Sequence, residues 1–331
     1  MIHQNFEMVI AAGGHHIGAM AAGSEPLSTV QADADRAATR GFLFAFSAYT
    51  LWGVLPLFLK LVEHIPAVEV VAHRIIWSVP IAAVVLLAMG RTADIKAALR
   101  SPRTLALAAL TASLITLNWG IYVWAIAADR TVETALGYYI NPLMTVAMGA
   151  VFLGEKLSRL QMAAVALAVL AVVILTVEAG GLPWISLTLA TSFAIYGYLR
   201  KTLPIGPSQG FFLEVLLLSI PCLAYIAWLA ARGEGHFVAS QPENMLLLVL
   251  CGPATAVPLM LYGFGAKLLR FSTIGIMQYM APTMVFLIAV FVFKEPFGVG
   301  KMIAFALIWT ALALYSWSMF AGRPAKAGAG G

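Results

Sequence analysis

The chain consists mainly of long apolar runs separated by short polar or proline-containing connections. A helix needs about 20 apolar residues to cross the hydrocarbon core of a bilayer. Continuous runs indicate helices, because a β-barrel would show short alternating segments and an open sheet is excluded in lipid. We therefore predict an all-α integral membrane protein with ten transmembrane helices, at residues 41–60, 67–89, 104–127, 132–153, 158–177, 182–200, 209–231, 244–267, 272–293 and 298–320.

The second half of the chain repeats the first at a fixed offset. Residues 136–144 return as residues 276–284, and four identical pairs are Tyr139 and Tyr279, Pro142 and Pro282, Met144 and Met284, and Glu155 and Glu295. Each repeat holds five predicted helices, so the second must enter the membrane in the opposite sense. Inverted repeats of this kind are typical of secondary transporters. The predicted units are a disordered cytoplasmic tail, two repeats and a second cytoplasmic tail, at residues 1–40, 41–177, 182–320 and 321–331.

Composition and charge support a membrane class and set an orientation. The chain is 61% hydrophobic and 11% charged, whereas a soluble domain carries about 25% charged residues. Of the 20 Lys and Arg residues, 14 fall on the side of the termini and five on the other side, while Arg74 lies within a span. The positive-inside rule then predicts that both termini are cytoplasmic. The net charge of +5 forms no long basic run, so nucleic acid is not a predicted partner.

The predicted helices contain several distinctive short motifs. They are Ala-Tyr-Thr-Leu-Trp-Gly at 48–53, His-Arg-Ile-Ile-Trp-Ser at 73–78, Asn-Trp at 118–119, Leu-Gly-Tyr-Tyr-Ile-Asn-Pro-Leu at 136–143, Phe-Leu-Gly-Glu at 152–155, Phe-Ala-Ile-Tyr-Gly at 193–197 and Gln-Tyr-Met-Ala-Pro-Thr at 278–283. These motifs resemble those of RarD-type transporters of the EamA family, in the drug/metabolite transporter superfamily. The resemblance covers residues 41–320. Lys294 is a departure, because a Gly usually precedes the Glu at that position, and this puts the geometry of the turn there in question.

This resemblance implies a small-molecule permease, multi-pass, in the bacterial inner membrane. It also implies that helices one, three, four, six, eight and nine line a central cavity, with helices five and ten at the periphery. Mid-span polar groups must avoid lipid, and mid-span aromatic residues are not interfacial anchors. The residues expected to line the substrate cavity are Trp52, Asn118, Trp119, Tyr122, Tyr139, Asn141, Tyr196, Gln278 and Tyr279. Helix packing and interhelical hydrogen bonds are the alternative interpretation for each of them.

Arg74 lies within the second predicted helix, beside His73. A charge at that depth is costly unless it faces protein or water, so it indicates either pairing or function. Glu214, early in the seventh helix, falls opposite His73 when the repeats are aligned. We predict that Arg74 and Glu214 are an inter-repeat charge pair, with substrate binding by Arg74 as the alternative.

Glu133 lies in the first turn of the fourth predicted helix. A carboxylate there is stabilised by the helix dipole and the free amide groups. Because the fourth helix is expected to line the cavity, Glu133 is also a candidate for proton coupling. Glu155 and Glu295 precede the fifth and tenth helices and are predicted to interact with the ends of those helices.

Pro142 and Pro282 occupy matching positions in the two repeats. Proline removes one backbone hydrogen bond, so we predict helix breaks at both positions. Breaks at matching positions are a sequence pointer to a transporter site. A passive kink is the alternative, because proline is tolerated in membrane helices.

The sequence contains no phosphate loop, no nucleophile elbow and no pair of His residues at metal spacing within a span. We therefore predict no enzyme activity, no cofactor and no metal. The leading interpretation is a secondary transporter of a small organic solute or drug-like metabolite, working by alternating access. The alternative is a passive channel or facilitator. The expected partners are a small-molecule substrate and the lipid bilayer, with protons as a candidate coupling ion.

Overall fold

The structure is a computed structural model. The residues that it describes form helices joined by short connections. It describes residues 27–321 except 89, 91, 155, 203 and 270. The helices are α1 Leu27–Leu61, α2 Ala67–Ala88, α3 Ala93–Leu99, α4 Pro102–Ala127, α5 Thr131–Leu153, α6 Arg159–Ala179, α7 Trp184–Thr202, α8 Pro207–Arg232, α9 Pro242–Leu268, α10 Phe271–Met277, α11 Met280–Leu287, a π-helical segment Ile288–Val292 and α12 Val299–Ala321.

Eight helices in the described residues are long and apolar enough to cross a membrane: α1, α2, α4, α5, α6, α8, α9 and α12. The all-α membrane class is therefore confirmed, and eight of the ten predicted spans are found as single apolar helices. The sixth predicted span is the helix α7, which is less apolar than the eight. It contains several Ser, Thr and Tyr residues, and its last three residues are Arg200, Lys201 and Thr202. The ninth is divided between α10, α11 and the π-helical segment.

The first helix begins earlier than expected. It starts at Leu27, inside the segment 1–40 that we predicted to be disordered. Residues 27–40 contain four Ala and two Arg residues, which favour helix. Adding residues to an existing helix also avoids the cost of nucleation. The remaining predicted tail residues, 1–26 and 322–331, lie outside the described residues.

Contacts between the two predicted repeats occur in matching pairs. The equivalent helices of the two predicted repeats are α1 and α7, α2 and α8, α4 and α9, α5 and α11, and α6 and α12. The contact of α1 with α9 therefore corresponds to the contact of α7 with α4, and the contact of α5 with α7 corresponds to that of α11 with α1. Likewise, α2 contacts α9 as α8 contacts α4. Three further contacts join equivalent helices directly: α2 with α8, α5 with α11, and α6 with α12. Every one of these contacts is retained when each helix is replaced by its equivalent in the other repeat.

The two repeats differ at the segment that carries the matching prolines. Helix α5 is continuous from Thr131 to Leu153, so the predicted break at Pro142 is wrong. In the second repeat the helix is interrupted at residues 278–279, just before Pro282. Pro282 then lies in the first turn of α11, where a backbone N–H has no partner within the helix, so the proline costs no hydrogen bond there.

Lys294 adopts the geometry of the glycine that it replaces. Gly154 ends α5 with φ 67°, and Lys294, its equivalent, has φ 57°. A left-handed conformation is unfavourable for a residue with a Cβ, by about 1–2 kcal/mol. The turn before the second-repeat Glu is therefore kept in spite of the substitution, which answers the question raised by the sequence departure.

A glycine allows α2 and α9 to approach closely. A Cβ at Gly252 would lie within 3 Å of three atoms of Trp77, including its backbone carbonyl carbon and oxygen. The hydroxyl of Ser78 donates to the carbonyl of Arg74 at 2.6 Å and lies 3.4 Å from the carbonyl of Gly252. Small residues at helix interfaces are the usual means of close packing in membranes.

We expect Gly252→Ala to destabilise the protein by about 1–3 kcal/mol, because the added methyl group must push α9 away from α2. Gly263→Ala is the matched control on the same helix, since a Cβ there would have no atom within 4 Å. Thermal unfolding of the detergent-solubilised variants, followed by size-exclusion chromatography after heating, measures the difference. Equal unfolding temperatures for the two variants would contradict this packing argument.

Candidate functional site

Arg74 of α2 is buried between α4 and α9, with a side chain only 4% exposed. Its Nε donates to Oγ1 of Thr255 on α9 at 3.0 Å, and its guanidinium carbon lies 5.2 Å from the ring centre of Trp119 on α4. The Thr255 hydroxyl donates to the carbonyl of Cys251 at 2.8 Å, which leaves its lone pairs free to accept from Arg74. The Nη1 atom of Arg74 is buried without a hydrogen-bond partner.

Two tyrosines lie beside this guanidinium. The rings of Tyr122 and Tyr138 are 5.6 Å apart in an edge-to-face arrangement, and both side chains lie near Arg74. Tyr138 stands in the motif that carries the family resemblance, but the sequence analysis did not select it. Its neighbour Tyr139, which has an identical partner in the second predicted repeat, was selected instead and faces α11 and α12.

Arg74 and Glu214 do not form the predicted charge pair in the conformation described. Glu214 on α8 faces α7, where its Oε1 lies 3.5 Å from Nε of Arg200 and its Oε2 accepts from the hydroxyl of Tyr196 at 3.2 Å. Arg74 instead faces α4 and α9. Glu214 is 1% exposed, and the absence of a side chain at Gly210 provides the space for the Arg200 guanidinium. The sequence analysis had placed Arg200 at the last residue of the sixth predicted helix, without a partner.

Asn118 has all the partners that its amide group requires. Its Nδ2 donates to the carbonyl of Leu189 at 3.0 Å and to Oγ of Ser192 at 2.9 Å, both on α7. Its Oδ1 accepts from the hydroxyl of Tyr138 at 3.0 Å. These bonds join α4, α5 and α7, which is the interhelical alternative that the sequence analysis left open for this residue.

Trp52 lies in a second aromatic group, where α1 meets α9. Its ring centre is 5.7 Å from that of Tyr49 and 5.7 Å from that of Tyr262. Met277 of α10 and Met280 of α11 belong to the same cluster. Trp52 thus lies next to the interruption of the second-repeat helix, which contains Gln278 and Tyr279.

Tyr139 packs against α11 and α12. Its hydroxyl is 2.6 Å from Oγ1 of Thr283, and its ring lies edge-on to those of Phe305 and Trp309. Helix α12 is the predicted tenth helix, which the family resemblance implied to be peripheral. Asn141, two residues further along α5, has a buried Oδ1 without a hydrogen-bond partner.

The predicted cavity residues therefore fall into separate groups. Trp119 and Tyr122 lie together beside Arg74, while Trp52 lies near the interrupted helix. Tyr196 binds Glu214, Asn118 joins three helices, and Tyr139 contacts α12. In the described residues no group of three His, Cys, Asp or Glu side chains is arranged to hold a metal ion.

Contacts between the predicted repeats join the helices at one end of the bundle. Both carboxylate oxygens of Glu295 accept from backbone amides at the start of α5, from Thr131 at 2.7 Å and from Val132 at 2.8 Å. We had predicted that Glu295 interacts with the following helix, but its carboxylate reaches across to the other repeat. A helix N-terminus offers free amide groups and a positive dipole, which explains this choice. Glu155 lies outside the described residues.

Lys60, at the end of α1, makes further contacts at the same end of the bundle. Its Nζ lies 2.5 Å from Oδ1 of Asp129 and 5.4 Å from the ring centre of Phe293. Glu133 is held nearby by Arg130, whose Nε and Nη2 donate to its two oxygens at 2.6 and 2.9 Å. We call the contacts of Lys60 and Glu295 the Lys60–Glu295 network.

Comparison with known proteins identifies the family. Protein RarD of Streptomyces exfoliatus is 43% identical over 277 residues, which cover 84% of this chain and 88% of that protein. This chain belongs to the EamA-like transporter family. The sequence profile of the family matches residues 39–177. An uncharacterized transporter of Vibrio cholerae is 40% identical over 279 residues, covering 84% of this chain and 92% of that protein.

A solved crystal structure shares the fold of this EamA-like transporter. It matches 86% of this chain and 99% of its own length, with a TM-score of 0.55 and 21% identity. The predicted resemblance to RarD-type proteins of the EamA family is confirmed, as is the multi-pass membrane class. Since the relatives are transporters and not enzymes, the prediction that the chain is not an enzyme is confirmed as well.

We expect Arg200 and Glu214 to be coupled in stability. Replacing one member of a buried ion pair leaves an uncompensated charge, which costs about 3–5 kcal/mol, and solvent reduces this cost for Arg200, which is 16% exposed. The double variant Arg200→Gln with Glu214→Gln should therefore recover part of the stability lost by Glu214→Gln alone. Thermal unfolding in a double-mutant cycle measures the coupling.

The matched control for this cycle is Arg74→Gln combined with Glu214→Gln. Because Arg74 and Glu214 have different partners, their effects should be additive. Additive effects for Arg200 and Glu214, together with recovery in the Arg74 and Glu214 pair, would restore the original prediction from the sequence.

Proposed function

We propose that this protein is a secondary transporter that moves a small organic solute across the bacterial inner membrane by alternating access. The family supports transport, and the matching contacts between the helices of the two halves support a pair of inverted repeats. Such repeats can exchange conformations, so that the substrate path opens to one side and then to the other.

The observation that carries alternating access is the difference between equivalent segments. Residues 131–153 form one continuous α-helix, while the matching residues of the second repeat form two short α-helices and a π-helical segment. Both carry the same Tyr-x-x-Pro sequence. A sequence plan that adopts two conformations within one molecule supports a mechanism in which the repeats interchange them.

The Lys60–Glu295 network supports a conformation that is closed at one end. If both termini are cytoplasmic, as the distribution of Lys and Arg indicates, this end faces the periplasm. Glu295 would then hold the second repeat against the start of α5 whenever the periplasmic path is shut. Opening that path requires the two amide groups of Thr131 and Val132 to be released.

We assign the substrate site to the region between two features. One is Arg74 with the neighbouring Trp119 and Tyr122, and the other is the interruption of the helix at residues 278–279. The proposed lining residues on α4, α5 and α7 are Trp119, Tyr122, Asn141 and Tyr196. Trp52 of α1 lies on the other side of this region, next to Gln278 and Tyr279. Aromatic walls with a few polar groups are typical of sites for partly apolar organic molecules. Asn118 and Tyr139 support this region through their hydrogen bonds to neighbouring helices.

Uptake into proteoliposomes tests transport itself. We expect at least one solute of an organic panel to be taken up with saturation and to be exchanged faster when it is also present inside, because a carrier must bind its substrate on both sides. Trp52→Ala should raise the half-saturation concentration by about tenfold or more, whereas Trp317→Ala, at a side chain that is 68% exposed, should not.

Imposing a proton gradient on wild type and on Glu133→Gln tests proton coupling in the same vesicles. Gradient-driven accumulation that Glu133→Gln abolishes would support a coupling role for this carboxylate, and accumulation that the variant retains would exclude it. Flux without saturation or exchange stimulation would favour the channel interpretation and refute the carrier.

Removing the Glu295 carboxylate should open the closed end of the bundle. Charge-assisted hydrogen bonds contribute about 1.5–3 kcal/mol each, so losing them from one conformation changes the population ratio about tenfold or more. We expect Glu295→Ala to increase the rate at which an impermeant maleimide labels Val132→Cys from outside the cell. The native residue is buried in the conformation described.

The labelling background carries Cys222→Ala and Cys251→Ala, and this background without the new cysteine reports nonspecific reaction. Glu234→Ala is the matched control, because Glu234 is an exposed carboxylate paired with Arg232. An unchanged labelling rate in Glu295→Ala would show that the network does not control access at this end.

A further inference from the structure

We infer that Arg74 is the subsite for an anionic group of the transported solute, and that this solute is an organic carboxylate with an apolar, ring-sized body. The inference rests on the proposed transport function and names the chemical class of its substrate. Arg74 has a hydrogen-bond partner at Nε but none at the buried Nη1.

The guanidinium of Arg74 is the partner that a carboxylate would require. The group remains charged in proteins, and its planar fork of N–H donors matches the two oxygens of a carboxylate. One donor, Nε, is already held by Thr255, which fixes the orientation of the fork. The buried Nη1 has no hydrogen-bond partner, so a donor capable of binding an anion is left unused.

No described carboxylate of the protein takes this place. Glu69 accepts from the backbone and Nδ1 of His236, at 2.7 and 2.8 Å. Glu214 is paired with Arg200, and Glu295 is bound to the amides of α5. Among the described residues, the ion pairs of the chain therefore leave Arg74 without a counter-ion.

An uncompensated charge at membrane depth is costly to retain for packing alone. Intramembrane charges usually pair with one another or mark a substrate path. The Trp119 ring compensates Arg74 in part by a cation–π interaction, and Thr255 does so by one hydrogen bond. Neither group supplies negative charge, so an anionic ligand would complete the site.

The surroundings of Arg74 indicate the rest of the ligand. Trp119 and Tyr138 are only partly buried, whereas Tyr122 is buried. Two partly buried aromatic side chains next to a cation suit a flat apolar body that carries a single carboxylate. A larger polar ligand would find few further hydrogen-bonding groups here, since the hydroxyl of Tyr138 is already donated to Asn118.

Binding to the full-length protein in lipid nanodiscs tests this assignment without requiring transport. The probes are matched acid and amide pairs, indole-3-acetate with indole-3-acetamide and benzoate with benzamide, and sodium phosphate serves as an inorganic anion. Ligand-induced thermal stabilisation gives the apparent Kd of each. We expect each acid to bind wild type about 10–100-fold more tightly than its amide, because a charged hydrogen-bonded contact is lost in the amide.

Arg74→Gln should abolish this acid preference, and Arg74→Lys should retain part of it, because Lys keeps the charge without the planar fork. Arg232→Gln is the matched control, since Arg232 is an exposed arginine paired with Glu234, and should keep the preference of wild type. Should Arg74→Gln fail to fold, Arg74→Lys and the wild-type acid and amide comparison still decide the question.

Equal binding of acid and amide to wild type would overturn the inference, as would an acid preference that survives in Arg74→Gln. Stabilisation by phosphate alone would also overturn it, because the proposed ligand is an organic carboxylate. Different results would reject the proposed transport function and the proposed subsite. Saturable uptake of a neutral solute without acid preference would keep the carrier and reject the subsite, whereas acid binding without saturable uptake would keep the subsite and reject the carrier.

Discussion

The structure depends on one constraint, that polar groups within the helix bundle must find partners inside the protein because the lipid core offers none. Asn118 meets this constraint with three hydrogen bonds to α5 and α7, and Glu214 meets it through Arg200 and Tyr196. Each pairing fixes how neighbouring helices pack. Arg74 meets the constraint only in part, and for this reason the candidate site is centred on it.

The two predicted repeats share sequence motifs but differ in local geometry. Helix α5 passes through Pro142 without interruption, while the equivalent segment is interrupted before Pro282 and ends in a π-helical segment. The left-handed turn is nevertheless common to both, at Gly154 and at Lys294. This turn places Glu295 so that it can bind the amides of α5, and it therefore connects the irregular second repeat to the regular first one.

The candidate site was predicted in part. Trp119 and Tyr122 were selected because aromatic residues in the middle of a span are not interfacial anchors, and both lie beside Arg74. Tyr138 was missed, because adjacent residues of a helix point in different directions and only the fold shows which tyrosine of the pair faces Arg74. The Arg74–Glu214 pair failed for a related reason: sequence alignment of the repeats gives equivalent positions but not the direction in which each side chain points.

The sequence by itself determined the membrane class, most of the helix boundaries and the family. These properties follow from the length and apolarity of each run and from motifs that are local in the chain. Only the tertiary structure decided that Glu214 binds Arg200, that Glu295 reaches α5 of the other repeat, and that Arg74 keeps an unused donor. These outcomes depend on helix rotation and on which helices become neighbours, and residues far apart in the chain determine both.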